Sequence, residues 1–240
     1  MSKEMNVFKF SESQIQVLKN FASIFPSLAI YPDKTEVING VGTVIGTYKF
    51  DQPLPIKNPF GILDLNRFLS VLAFYKTPSI RIEEKWVTVS DEASSVKYYT
   101  TPLYLIPKVV VQQVYTPLDI INKLNDIGSE LEFVFTAEKL TTLLKIASIM
   151  KPKFLYIETY ENAIKITIGD SIDSSDNTWN TLITDGIKRN ELKNPMKFEL
   201  SELKVMVLDY DVRISSKNMS QWSNSFGVNY FIGCYADSKE

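Results

Sequence analysis

Three aspartates spaced three apart, Asp170, Asp173 and Asp176, followed by Asn177, could gather a hard cation with oxygen ligands. A calcium loop needs closer ligand spacing, a central glycine and a terminal glutamate, all missing here, so a solvated turn is the expectation. Gly40, Gly42 and Gly46 alternate with Val41, Val44 and Ile45, and no Gly-Lys-Ser/Thr follows them. They read as turn and strand glycines, not as a phosphate cradle. Serines are numerous, but histidine is absent, so nothing of the usual kind can activate one as a nucleophile. The single cysteine, Cys234, can form neither an internal disulfide nor a thiolate cluster. Its apolar run, Tyr230 to Tyr235, predicts a buried, inert thiol. Paired carboxylates alone suffice for glycosidase chemistry, yet no pair here comes with an argument for a pocket. Asn218-Met219-Ser220 fits the glycosylation pattern, which a cytoplasmic chain never exposes to that machinery. The expectation is a protein with no catalytic residues, no metal and no cofactor.

If the chain does no chemistry, its elements must serve binding. The 240 residues are 45% hydrophobic, enough for two modest cores. Abundant aromatics and short valine and isoleucine runs favour sheet. The net charge is −2, so any nucleic-acid contact must come from lysines concentrated on one face. Residues 1–115 carry 12 Lys+Arg against 10 Asp+Glu, and residues 116–240 carry 14 against 18, which is no basic tail. No stretch approaches the roughly 18 apolar residues of a membrane span. No apolar signal core opens the chain, and a soluble protein of a reducing compartment is expected.

Residues 10–31 align with residues 135–156 at six identical positions: Phe10/Phe135, Leu18/Leu143, Ala22/Ala147, Ser23/Ser148, Ile24/Ile149 and Tyr31/Tyr156. An offset near half the chain length points to two similarly built domains. The expected divisions are 1–112, a connection over 113–129 punctuated by Pro117, and 130–240. In the first domain Ser11 should cap a helix with Ile15, Leu18, Ala22 and Phe25 inside. An Asn39-Gly40 turn should join Val37–Ile38 to Thr43–Phe50. Asp64 should cap a second helix burying Leu65, Phe68, Leu69 and Leu72. In the second domain Thr136 should cap a helix burying Leu140, Leu143, Leu144 and Ala147, and Ser201 a short helix over Glu202–Val207. Strands are expected at Phe154–Glu158, Ile164–Ile168, Trp179–Ile183, Val212–Ser215 and Val228–Tyr235. The fold class is therefore α+β, two similar domains, each with two helices packed on antiparallel sheet.

One-sided helices on a sheet show their polar side to solvent. Here each shows a cation: Lys19 on the first, Arg67 on the second with Lys76 after it, Lys139 and Lys145 on the third with Lys151 after it, and Lys204 on the fourth. Lysines on solvated helices are routine, but the same bias in four helices of two repeats is less so. Sparse lysines would meet phosphates and read no base edges. No recognition helix, zinc finger or basic arm is present.

The run Leu18-Lys19-Asn20-Phe21-Ala22-Ser23-Ile24, then Asp64-Leu65-Asn66 with Phe68-Leu69, then Asn229-Tyr230 and Ala236-Asp237-Ser238, resembles the sliding DNA clamps, in particular the trimeric clamps of T4-like bacteriophages. The motifs are short, and their joint order over nearly the whole chain carries the likeness. The resemblance implies the DNA clamp fold and a homotrimeric ring around duplex DNA, held without sequence specificity. It implies an ATP-driven clamp loader and a replicative DNA polymerase as partners, late-transcription factors as further ones, and the cytoplasm of an infected bacterial host as the location. It places Lys19, Arg67, Lys76, Lys139, Lys145, Lys151 and Lys204 toward DNA. A partner-peptide pocket is expected around Val110, Val111, Tyr115, Tyr235 and Ala236, and a subunit interface at Trp179 and Leu182 on an edge strand. A monomeric clamp-like viral processivity factor, a peptide-binding adaptor without a DNA role and a carboxylate hydrolase are the competing readings. The segments 101–129, 170–176 and 216–226 do not match the family's pattern readily.

Overall fold

The computed structural model describes residues 7–83, 85–106, 128–172 and 177–236. The chain divides into two compact units, residues 1–114 and 115–240. Within the first, the element order is β1 (Val7–Phe8), α1 (Glu12–Ile24), β2 (Leu28–Ile30), β3 (Lys34–Ile38), β4 (Val44–Lys49), β5 (Phe60–Ile62), α2 (Leu65–Phe74), β6 (Ser79–Ile82), β7 (Trp86–Ser90) and β8 (Ser95–Tyr99). The second runs β9 (Leu131–Phe135), α3 (Ala137–Met150), β10 (Phe154–Tyr160), β11 (Ala163–Gly169), β12 (Trp179–Ile183), β13 (Ile187–Asn190), β14 (Met196–Glu199), a 3₁₀ turn (Leu200–Glu202), β15 (Tyr210–Ser215), β16 (Met219–Ser223), β17 (Val228–Gly233) and β18 (Tyr235–Ala236). Both units run strand, helix, strands, helical segment, strands, with four and then three strands in the first unit and five and then four in the second.

The first unit holds an antiparallel sheet in the order β1-β6-β7-β8 and the ladder β5-β2-β3-β4. The second holds β12-β11-β10-β14-β18 and the ladder β13-β9-β15-β16-β17.

The helices start where the sequence says they should. Ser11 and Gln14 form a reciprocal capping box at α1. The Asp64 carboxylate accepts the Arg67 amide N–H at 2.9 Å. At α3, Thr136 accepts from Lys139, and Asp209 accepts the Ala137 amide N–H at 2.6 Å. The buried stripe of α1 is Val17, Leu18, Phe21 and Ile24, turned slightly from the expected one. Ile15, Ala22 and Phe25 are half-buried. Phe21 explains part of this: it presses on β4 so closely that a Cβ at Gly46 would lie 2.9 Å from its ring. All four expected residues of α2 are buried. On α3, Leu140 and Leu143 are buried, and Leu144 and Ala147 only half so.

The β3–β4 hairpin is held by Asn39, whose side-chain oxygen accepts from the Thr43 and Val44 amides. The left-handed residue of that turn is Gly42, φ 76°, not Gly40.

The expected helix at Glu202–Val207 does not form. A single 3₁₀ turn, without a side-chain cap from Ser201, ends at Glu202. Beyond it Leu203 and Val205 are buried while Lys204 is exposed, the alternation of extended chain. Two buried tyrosines hold Met206: Tyr210 donates to its carbonyl at 2.9 Å, and its N–H donates to the Tyr230 hydroxyl at 3.4 Å. Those are the backbone groups a helix would need, and two valines close by add little helix propensity.

Trp222 lies at the centre of the second unit, fully buried, against Phe135, Phe198 and Tyr210 at ring separations of 5.6, 6.4 and 6.1 Å. Its partners come from both ladders of that unit, so one side chain joins the two layers.

Candidate nucleic-acid interface and subunit edges

The three described helices carry four cations, Lys19, Arg67, Lys139 and Lys145, and two acids, Glu12 and Glu138. Both acids occupy first turns, where a carboxylate favours the helix dipole. The rest of the chain then carries 22 cations and 26 acids, so the helix faces are cationic against an acidic background. Lys19, Arg67, Lys76, Lys145, Lys151 and Lys204 are exposed. Lys151 takes the left-handed cap of α3, φ 54°, and its N–H donates to Ala147. Lys204 sits on the extended stretch after the 3₁₀ turn, not on a helix. Lys139 differs from the others. It is half-buried, and its ammonium donates to the Leu182 carbonyl on β12 at 2.9 Å.

Two strands end their sheets with five regular residues each and no further neighbour among the described residues: β8 in the first unit and β12 in the second. The other outer strands are short or irregular: β1 and β18 have two residues each, β5 has three, and β13 carries a register shift. A long regular edge is a template for another chain.

Each of the two edges has a helix at its side. The Tyr98 hydroxyl of β8 donates to the Asp64 carbonyl at the head of α2 at 2.7 Å, and its ring meets Phe68 at 5.2 Å. Lys139 ties α3 to β12. Large apolar side chains stand out on these same elements: Phe74 on α2 and Ile149 on α3 are each 75% exposed, Tyr99 on β8 is 71% exposed and Leu182 on β12 is 42% exposed. Trp179 is half-buried on β12. Of these residues, Trp179 and Leu182 are named from the sequence, and Phe74, Ile149 and Tyr99 are not. The available signal was that Phe74 falls off the buried stripe of its helix.

Tyr235 and Ala236 are exposed on β18, paired with Lys197 and Met196. Their proposed companions Val110, Val111 and Tyr115 lie outside the described residues, as do Asp173 and Asp176 of the aspartate run. Asp170 accepts the Lys153 amide N–H at 2.9 Å, the turn role expected of it. Among the described residues no three His, Cys, Asp or Glu side chains gather as a metal site, and no helix is long and apolar enough to cross a membrane. A cavity of about 270 Å³ in the first unit is lined by Ile56, Lys57, Phe60, Ile82, Glu83 and Thr100, none of them a residue singled out from sequence. Cys234 is 1% exposed, and burial pushes its thiol well above the usual range. A thiol reagent is therefore expected to label it at a rate at least about a hundredfold lower in the folded chain than in denaturant; equal rates, followed by mass spectrometry, would contradict the packing of β17 and β18.

The chain is 23% identical over 231 residues to the sliding clamp of Vibrio phage KVP40, covering 95% of this chain and 99% of that one. Its structure superposes on that of PCNA from A. fulgidus, solved with the C-terminal region of FEN-1, with a TM-score of 0.67 at 10% identity, covering 97% and 98% of the two chains. This chain has the sliding-clamp fold. The same fold is shared with PCNA from Thermococcus kodakaraensis, TM-score 0.64 at 13% identity over 95% of this chain and 98% of that one. A DnaN sliding clamp from Pseudomonas aeruginosa matches with a TM-score of 0.67 at 12% identity, over 98% of this chain but 66% of that longer one. No family model matches the chain. The segment 216–226 comprises the β15–β16 turn, β16 itself and the turn into β17.

Proposed function

We propose that the chain is a sliding clamp, a subunit of a homotrimeric ring that encircles duplex DNA and tethers the replicative DNA polymerase to its template. The observation that carries this reading is the pair of regular open edges, β8 and β12, one per unit, each beside a helix whose exposed face holds cations. Joining unlike edges head to tail makes a heterologous contact, which repeats until the ring closes. With two units per chain, three copies supply the six that the family resemblance implies. The near-complete coverage of the phage clamp and of the PCNA chains from A. fulgidus and Thermococcus kodakaraensis supports the same size of subunit.

The helix cations Lys19, Arg67, Lys145 and Lys151, with Lys76 and Lys204, are the DNA-facing set in this reading. Few point contacts to phosphate hold the duplex without fixing a register, which is what sliding requires. The gain to synthesis is one of effective concentration: the polymerase stays near the primer end and no bond is made or broken by the clamp. The chain is thereby assigned no catalytic step. An ATP-driven loader and late-transcription factors are further partners in this reading, within an infected bacterial cell.

The test is retention on linear duplex whose ends are blocked after the protein has threaded on. A ring stays on end-blocked DNA and slides off open DNA, while a protein that merely adheres leaves both alike. Equal retention on the two would overturn the reading. Lys145→Glu combined with Lys151→Glu is expected to leave self-association intact and lower retention by about tenfold or more, most visibly at moderate salt. Retention unchanged by that double variant would remove α3 from the DNA-facing surface.

A further inference from the structure

We propose that Lys139 is an edge guard: its ammonium closes the open side of β12 in the free chain and must leave when a second copy's strand docks there. The proposal rests on the ring reading above and adds a control on its assembly. Lys139 stands in the first turn of α3, and it reaches across to a strand 43 residues further along the chain, where it donates to the Leu182 carbonyl at 2.9 Å. Its neighbour on the helix face, Lys145, is exposed, and its ammonium makes no such contact among the described residues.

In an antiparallel pair, alternate residues turn both their N–H and C=O toward the partner strand or away from it. β12 has one strand neighbour, β11, among the described residues. The Leu182 carbonyl, met by an ammonium from a helix, belongs to the outward set. Lysines at sheet edges work against unwanted pairing, usually from within the strand. Here the lysine reaches the edge from a helix, so its stem leaves the strand itself regular.

A docking strand needs outward carbonyls as its acceptors. Occupation by Lys139 and occupation by a second copy therefore compete for the same oxygen. The displaced ammonium returns to the face it shares with Thr142 and Lys145, three and six residues on. In that position it joins the cations assigned to phosphate. One side chain thus couples two states: with the edge open the cation is spent on the edge, and with the edge filled it is free for DNA.

The experiment compares absolute mass across a concentration series for the wild-type chain, Lys139→Met and Lys145→Met. Methionine keeps the stem and the helix propensity and removes only the ammonium. Lys139→Met is expected to associate about tenfold more tightly, the loss of one charge-assisted bond that docking must break. Lys145→Met is expected to associate like the wild type. Should Lys139→Met not fold, Lys139→Gln, too short to reach the edge, carries the same expectation. Equal association of all three chains overturns the guard and leaves a wild-type ring standing. An equal gain in both variants overturns it too, because it would reflect general charge repulsion. If the wild type stays monomeric while Lys139→Met associates, the guard stands and spontaneous ring closure falls. If all remain monomeric, both fall.

Discussion

Leu182→Pro leaves the chain folded and weakens its self-association by at least about a hundredfold. Leu182 is 42% exposed on β12, the outer strand of its sheet, so its side chain contributes little core. Proline is tolerated on an edge strand where the lost N–H faces outward, which is the orientation the Lys139 contact assigns to this residue. In the proposed ring the same N–H would belong to the ladder between copies. Its removal orphans a partner carbonyl, about 1–3 kcal/mol, and the pyrrolidine ring holds the incoming strand away. Together these come to about 3 kcal/mol, or about two decades in the dissociation constant. Circular dichroism and a melting curve separate this outcome from unfolding. A variant that melts as the wild type does but still associates with unchanged affinity would place the subunit contact elsewhere than β12.

Trp222→Ala lowers the stability of residues 115–240 by about 3–5 kcal/mol. Trp222 is fully buried, and Phe135, Phe198 and Tyr210 lose their common neighbour with it. Its indole N–H donates to the Ser220 hydroxyl at 3.2 Å, and Ser220 donates to the Ile232 carbonyl at 2.7 Å, so the cavity also frees a buried hydroxyl to reorient. For a unit of this size, about 4 °C of melting temperature accompanies each kcal/mol, so a drop of about 12–20 °C is expected. A conservative Trp222→Phe should recover more than half of it, since the ring contacts persist and only the N–H and part of the volume go. Calorimetry of both variants measures this. A loss under about 1 kcal/mol for the alanine would mean that the two ladders of this unit are held together elsewhere.

What was legible in the sequence depended on how local its determinants were. Ser11, Asp64 and Thr136 announced helix starts because capping is settled within three residues. Strand β12 appears at its expected bounds, Trp179–Ile183, a short run rich in aromatic and β-branched residues. The expected helix at Glu202–Val207 failed for a non-local reason. Tyr210 and Tyr230 bring hydroxyls to Met206 from residues 4 and 24 away, which no local window sees. The stripe of α1 turned because Phe21 found a partner surface at Gly46, again far along the chain. The candidate surfaces divide the same way. Exposed lysines on helices were readable from periodicity, whereas the engagement of Lys139 with Leu182, and the exposure of Phe74 and Ile149, required the sheet edges to be known.

The proposed ring requires identical chains to close edge to edge. The absolute mass of the purified protein, measured by multi-angle light scattering over a concentration series, tests it most directly. A species of three times the 27.4 kDa chain mass that dissociates on dilution is expected. A strict monomer at the highest concentration reached would contradict it and favour a clamp-like factor that works as a single chain.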